Sequence, residues 1–561
     1  VHFRQQADRT WQFLNRMKNI AYLLFILLMA GQSTFCQPAD VPFHYEQKEL
    51  DLGPLDGKKL DEKMIEYSRF FYYQKTKAQT LPFPEADYLK INQTITAKEK
   101  APWMRLRFSD IDLGQNSYMI ITSEYDGDQQ FFNAQSIKEW QNQTAFLNGN
   151  SLQLQLMVAP GDSNVFTRVS EISVGEFLGN TPPVDYLCYG DSRVQSSYEN
   201  VDGRIMPIGC SGWITAGGFY ITAGHCLDVT SYDLQVIQFH VPNSLCDGTP
   251  VACAAADQYP IIFSSRVYQN SDTGDDWGIF NVSANSNTGK TPLEAERSYY
   301  HLSKSLAPSY ILVRGFGTDQ SPSGCTGSYN SYSQTLQYDI GSSLGEFFNG
   351  SYDVYFEYLA DTQGGSSGSV LQSNGISGVT KHAIGVHTYG ACNPPSYGNR
   401  GTSFEADDTE AAMNSYWQSN CEYVDEGHHF SSTVGSAVLP HQWLQNALNQ
   451  ADAGHGPGTS ALELILVAGS NNGSGGDYSE SISYSGASNG VVIRPSAGAI
   501  KIGPAAKTDS TSQIKESTSL TDLSESKSKN IARQNFDENT ILPGQTVPFR
   551  DMVSPPKNNE R

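Results

Sequence analysis

The chain has 561 residues, with 37 Lys plus Arg against 59 Asp plus Glu and a formal net charge of -22 at pH 7. This balance excludes a basic nucleic-acid binder, because neutralising phosphates requires a surplus of Lys and Arg. At roughly 150 residues per domain the length accommodates about three or four folded units, and 39% hydrophobic with 11% aromatic residues excludes wholesale disorder.

Along the chain, Met17 to Ala30 carries a basic start at Lys18 and the apolar run Ile20 to Ala30, followed by small and polar residues through Cys36. That order is the pattern of a secretory leader, and the run is short for a membrane anchor, so export without stable membrane insertion is expected. Residues 1–36 are therefore set aside as upstream segment and leader, with Met17 the expected start. Residues 37–183 are free of cysteine and alternate apolar with polar residues at Trp103-Met104-Arg105-Leu106-Arg107-Phe108 and Leu152-Gln153-Leu154-Gln155-Leu156. Period-two alternation gives strands with one buried face, so a small β-sandwich is expected here, closed by Pro182-Pro183.

Residues 184–424 hold Cys188, Cys210, Cys226, Cys246, Cys253, Cys325, Cys392 and Cys421, with short apolar runs separated by Gly, Asn and Ser turns. An even set of cysteines in an exported chain implies disulfides, and the many short strands imply a closed or sandwiched antiparallel architecture. Glu405 to Gln418 reads as a surface helix ending this unit. Residues 425–561 are Gly, Ser and Asn rich and then charged, a composition expected to form a largely flexible extension. There is no CxxC pair and no HExxH helix, so no metal site is expected. His382, His428 and His429 read as surface residues, and Phe70-Phe71-Tyr72-Tyr73 as core.

Three motifs carry chemistry: Ile221-Thr222-Ala223-Gly224-His225-Cys226, then Asp275-Asp276-Trp277-Gly278-Ile279-Phe280, then Gly364-Gly365-Ser366-Ser367-Gly368-Ser369. Singly, each also reads as a strand end or a turn. Together they supply a hydroxyl, an imidazole to take its proton, and a carboxylate to fix the imidazole tautomer. His225 precedes Asp276 by 51 positions, and Asp276 precedes Ser367 by 91, spacings that suit two successive barrels sharing a cleft. Asp275 is the rival carboxylate, and Ser366 and Ser369 are rival hydroxyls; only Ser367 is central in Gly-x-Ser-Gly. An α/β-hydrolase is excluded because the histidine precedes the serine.

In order and flanks these motifs resemble the chymotrypsin-like serine endopeptidases. The resemblance implies a mainly β fold of two antiparallel six-stranded β-barrels with a C-terminal helix, behind a β-rich prodomain and ahead of a flexible tail. It implies His225 as general base, Asp276 as orienting carboxylate, Ser367 as nucleophile, Gly365 and Ser367 as oxyanion-hole amides, and a Cys210–Cys226 disulfide. No cofactor is implied. Protein or peptide substrates and the chain's own propeptide (37–183) are the expected partners, with cleavage near 176–190 expected to release activity.

Within that family the chain is most similar to bacterial glutamyl endopeptidases. The carrying residues are Asp361-Thr362-Gln363-Gly364-Gly365-Ser366-Ser367-Gly368-Ser369, Val386-His387-Thr388, Ser396-Tyr397-Gly398-Asn399-Arg400-Gly401-Thr402 and Asp191-Ser192-Arg193. The likeness implies that His387 and Thr362 bind a substrate carboxylate, giving preference for Glu or Asp before the cut bond. Val184 is a candidate mature N-terminus. Two alternatives remain. Asp361 could pair with a substrate Lys or Arg, as in trypsin-like enzymes, and the unit could be a non-catalytic adhesion module.

Overall fold

The computed structural model describes residues 41–65, 81–178 and most of 185–413. Beyond these it describes the strands Cys421–Val424, Glu463–Val467, Asp477–Tyr478, Val491–Pro495, Lys501–Ile502 and Thr540–Ile541. The leader, the aromatic run at 70–73, His428, His429 and much of the expected helix at 405–418 lie outside the described residues. Among the described residues no helix is long and apolar enough to cross a membrane.

The N-terminal domain is a sandwich of two four-stranded antiparallel sheets. One sheet runs Phe43–Leu55, Val165–Gly175, Trp103–Asp112 and Leu147–Asn148; the other runs Leu89–Thr96, Ser151–Val158, Tyr118–Ser123 and Gln129–Phe132. Leu152, Leu154 and Leu156 of one sheet meet Met104, Leu106 and Phe108 of the other in a single core. Their intervening Gln153 and Gln155 face outward, as the alternation requires. Trp103 and Arg105 break that rule. Both are buried, because their face of the sheet is covered by the next domain.

That next domain is mainly β and has two halves. The first is a seven-stranded antiparallel sheet in the order Gln258–Pro260, Val236–Gln238, Asp202–Met206, Cys210–Ile214, Tyr220–Thr222, Asp276–Phe280, Val267–Asn270. Several of its strands are buried along their whole length, so no alternation marks them in the sequence. The second half closes on itself as a six-stranded barrel. Gln337–Asn349 pairs with Tyr310–Gly315, and the order continues through Val370–Asn374, His382–Tyr389, Asn399–Ser403 and Asp353–Tyr358 back to Gln337–Asn349. The two halves are not independent, since Val370, Ala383, Val386 and Phe404 of the barrel pack into the same core as Trp213, Ile221 and Trp277 of the first sheet. This shared core fixes the seam on which the candidate site is built.

Within the extension expected to be largely flexible, Glu463–Val467 pairs in parallel with both Cys421–Val424 and Val491–Pro495. Leu464 to Val467 and Val491 to Ile493 are continuous apolar runs, a sequence pattern common in parallel strands.

Candidate active site

His225 lies in the single turn Gly224–Cys226, directly after strand Tyr220–Thr222. The Cys210–Cys226 disulfide ties that turn to the neighbouring strand, with an S–S distance of 2.05 Å and a loop of 16 positions. Asp276 opens the strand Asp276–Phe280, whose register sets Gly278 opposite Thr222. The register brings the Asp276 carboxylate under the turn. One oxygen accepts the His225 backbone N–H at 2.9 Å, and the other lies 2.7 Å from His225 Nδ1. Asp276 is fully buried, and Thr402 Oγ1 donates to its carbonyl at 2.9 Å from the second half of the domain. The carboxylate that holds His225 is thus Asp276 and not Asp275, whose own carboxyl is pushed up by burial and by the nearby Asp353 and Asp408.

Ser367 lies between strands Thr362–Gln363 and Val370–Asn374 and is buried. Its carbonyl accepts Ser211 N at 2.8 Å, while Ser211 O accepts Thr222 Oγ1 at 2.7 Å. Through Ser211 the serine loop is stitched to the strand that delivers His225. Gly368 has φ +84, and a Cβ there would lie 2.1 Å from Ser211 O and 3.1 Å from Ala223 N, so only glycine lets the loop approach this closely. Gly365 has φ +90 for a similar reason, packed against the Phe316 and Gly209 carbonyls.

The peptide planes around Ser367 are fixed. Gly364 O accepts Thr318 N at 2.8 Å, and Ser366 O accepts Ser369 N at 2.9 Å. In a planar trans peptide the N–H points opposite its carbonyl, so these bonds turn the Gly365 N–H away from Thr318 and the Ser367 N–H away from Ser369 N.

His387 is fully buried on strand His382–Tyr389, with its N–H on Ser369 O and its carbonyl accepting Gly368 N, each at 2.8 Å. Tyr358 hydroxyl pairs with its Nδ1, whereas Nε2 has no hydrogen-bond partner among the described residues. Burial pushes its pKa down to about 3, and the neighbouring His225 acts in the same direction, so the ring is neutral at pH 7. Thr362 Oγ1 is likewise buried without a partner among the described residues.

Asp361 is occupied elsewhere. Cys188 N donates to one oxygen at 2.7 Å, and Ser192 donates to the other through its N–H at 3.0 Å and its hydroxyl at 2.9 Å. Burial, together with nearby Asp339, pushes its carboxyl up. The segment that holds it is anchored by a Cys188–Cys392 disulfide and by pairing of Asp185–Tyr186 with Thr362–Gln363. Cys246 is also disulfide-bonded, whereas Cys253 is a free thiol, a departure from the even pairing expected from the count. It is buried, its Sγ lies 3.8 Å from Asp257 O, and burial pushes its pKa up.

Sequence reasoning did not find Ser211 or Tyr358, and it named Thr402 and Ser192 only as residues that carry the resemblance, without their contacts to Asp276 and Asp361. Ser211 and Tyr358 stand in no motif, and their roles come from contacts with Ser367, 156 positions away, and with His387, 29 positions away.

The closed six-stranded barrel and its seven-stranded partner sheet give the mainly β, double-barrel fold expected from the motifs, the first barrel being only a half-barrel. Solved structures similar to this chain include a thermostable serine protease, AL20, from an extremophilic microorganism, at 16% identity and TM-score 0.28, covering 38% of this chain and 96% of that one. The VesB protease of Vibrio cholerae is similar at 12% identity and TM-score 0.27, covering 42% of this chain and 70% of that one. An inactivated protease paralogue of the scabies mite, S-I1, is similar at 16% identity and TM-score 0.26, covering 38% and 92%. No protein-family model and no curated protein matches the chain. The chemistry therefore has to come from this chain's own residues, since one fold hosts many functions.

Proposed function

We propose that the chain is an exported serine endopeptidase that cuts after Glu, and after Asp less well. The observation that carries the reading is the double hold of Asp276 on His225, at the backbone N–H and at Nδ1, beside a loop whose glycines bring Ser367 against the same turn. A carboxylate on Nδ1 leaves Nε2 as the basic nitrogen, which takes the Ser367 proton as Oγ attacks the scissile carbonyl. The amides of Gly365 and Ser367 receive the developing oxyanion, each such donor contributing roughly 3 kcal/mol. His225 then protonates the leaving amine, and water resolves the acyl-enzyme by the same route.

The acidic preference rests on His387 and Thr362. With Tyr358 donating to Nδ1, the neutral His387 ring carries its proton on Nε2 and offers it to a substrate carboxylate beside the Thr362 hydroxyl. Neutral donors suit this site because they leave no buried charge when the pocket is empty. The trypsin-like alternative would need a free Asp361 carboxylate, and both of its oxygens are held by Cys188 and Ser192.

Peptides differing only in Glu, Asp, Lys or Arg before the cut bond test both parts. Glu is expected to give the highest kcat/KM, by about tenfold or more over Lys and Arg, and Ser367→Ala to lower it at least about a thousandfold. Preference for Lys or Arg would contradict the pocket assignment, and full cleavage by Ser367→Ala would contradict the mechanism.

A further inference from the structure

The N-terminal domain has the size and position expected of a removable propeptide, but its contact with the catalytic domain resembles the interior of one domain. Met206, Leu234, Val236, Ala252 and Ala255 of the first sheet belong to the same buried cluster as the sandwich's Trp103, Phe146 and Leu147. Trp103 and Arg105 line this contact on the sheet face that an isolated sandwich would expose. The Arg105 guanidinium lies 4.3 Å from the Phe146 ring centre, and it donates from Nε to Thr144 O and from Nη1 to Leu234 O, each at 2.9 Å.

Two amide side chains lock the seam reciprocally. Gln258, fully buried, accepts Phe146 N at 3.0 Å and donates to Phe146 O at 2.8 Å. Asn148 accepts Ala252 N at 3.0 Å and donates to Ala252 O at 3.1 Å. Further along, Asn287 accepts Phe131 N at 2.7 Å and donates to Gln129 O at 2.6 Å, while Asp128 accepts Ala255 N at 2.7 Å. Separation would leave these groups to find new partners and would expose the apolar residues between them. Water would satisfy the hydrogen-bonding groups once exposed, so they fix the register of the contact, while the apolar burial between them holds it together; continuous apolar cores of this kind mark obligate rather than transient contacts.

The seam also leads toward the catalytic turn. Arg105 holds the Leu234 carbonyl, and the adjacent Gln235 donates from Nε2 to the carbonyl of Cys226 at 2.8 Å, one residue from His225.

We propose that the N-terminal domain is a permanent subunit of the catalytic unit, remaining docked on the sheet that carries His225 after any cut between residues 178 and 185. This goes beyond the proposed activity, and it means that a cut in the expected 176–190 region leaves the domain in place. The test uses the full chain carrying a specific protease recognition sequence between 178 and 185. After complete cutting, both fragments are expected to co-elute on size exclusion at the volume of the uncut chain, with peptide hydrolysis within about twofold of it, and to separate only in denaturant. In the Asn148→Ala, Gln258→Ala double variant the cut fragments are expected to come apart on dilution, with hydrolysis falling more than tenfold. Separation of the wild-type fragments in native buffer would overturn the proposal, whether or not the double variant folds. Co-elution is read without any substrate, so intact pairing with no hydrolysis would contradict the protease reading alone, and separation with hydrolysis retained would contradict this one alone.

Discussion

At the scale of single residues, His387 shows how burial selects a protonation state. Its pKa is pushed down to about 3 in the folded chain, against an ordinary value of 6.5. Between those values the unfolded chain binds a proton that the folded chain refuses, so this histidine contributes stability above about pH 6.5 that is lost as the pH falls toward about 3. Three and a half units correspond to at most about 5 kcal/mol. Urea unfolding across this window should therefore show a shallower loss of stability for His387→Gln than for the parent chain, and equal slopes would contradict a buried neutral ring. The three candidate catalytic residues were legible in the sequence because each stands in a compact motif whose neighbours serve it locally. Tyr358, which pairs with His387 Nδ1, was not, because a hydroxyl meeting an imidazole across 29 positions leaves no local pattern.

At the scale of elements, the serine loop is held by glycine geometry. Gly368→Ala puts a methyl group 2.1 Å from the Ser211 carbonyl at φ +84, whereas Gly127→Ala at φ +79 meets nothing within 4 Å. Both substitutions incur left-handed backbone strain of roughly 1–3 kcal/mol, but only the first also collides. Thermal unfolding is expected to drop well below that of the parent for Gly368→Ala, with hydrolysis lost, and to fall only modestly for Gly127→Ala with hydrolysis kept. Equal effects would show that the close approach to Ser211 is unimportant. Strand legibility follows the same logic of faces. Leu152 to Leu156 alternates because one face of its sheet is solvated, so a sandwich could be read there. Trp103 to Phe108 alternates in sequence but is buried on both faces, since the second face serves an interface that the pattern cannot announce. The strands Cys210–Ile214 and Asp276–Phe280, buried throughout, gave no period at all.

For the whole molecule, two halves of a β domain share a core, and the seam between them carries His225 and Asp276 on one side and Ser367 on the other. The broad architecture was readable from many short strands, turn residues and motif order. How the N-terminal sandwich merges its core with the first sheet was not, because its contacts join residues more than a hundred positions apart. The net charge of -22 opposes the long-range approach of strongly acidic substrates, so the glutamate preference proposed above would have to rest on short-range donors in the pocket. The most direct measurement is the site of covalent labelling by diisopropyl fluorophosphate, mapped by peptide mass spectrometry on the parent chain and on Asp276→Asn. A single adduct on Ser367, formed at least about a thousandfold more slowly in Asp276→Asn, is the expected result. Labelling at another serine, or peptide hydrolysis that continues with Ser367 unmodified, would contradict the account.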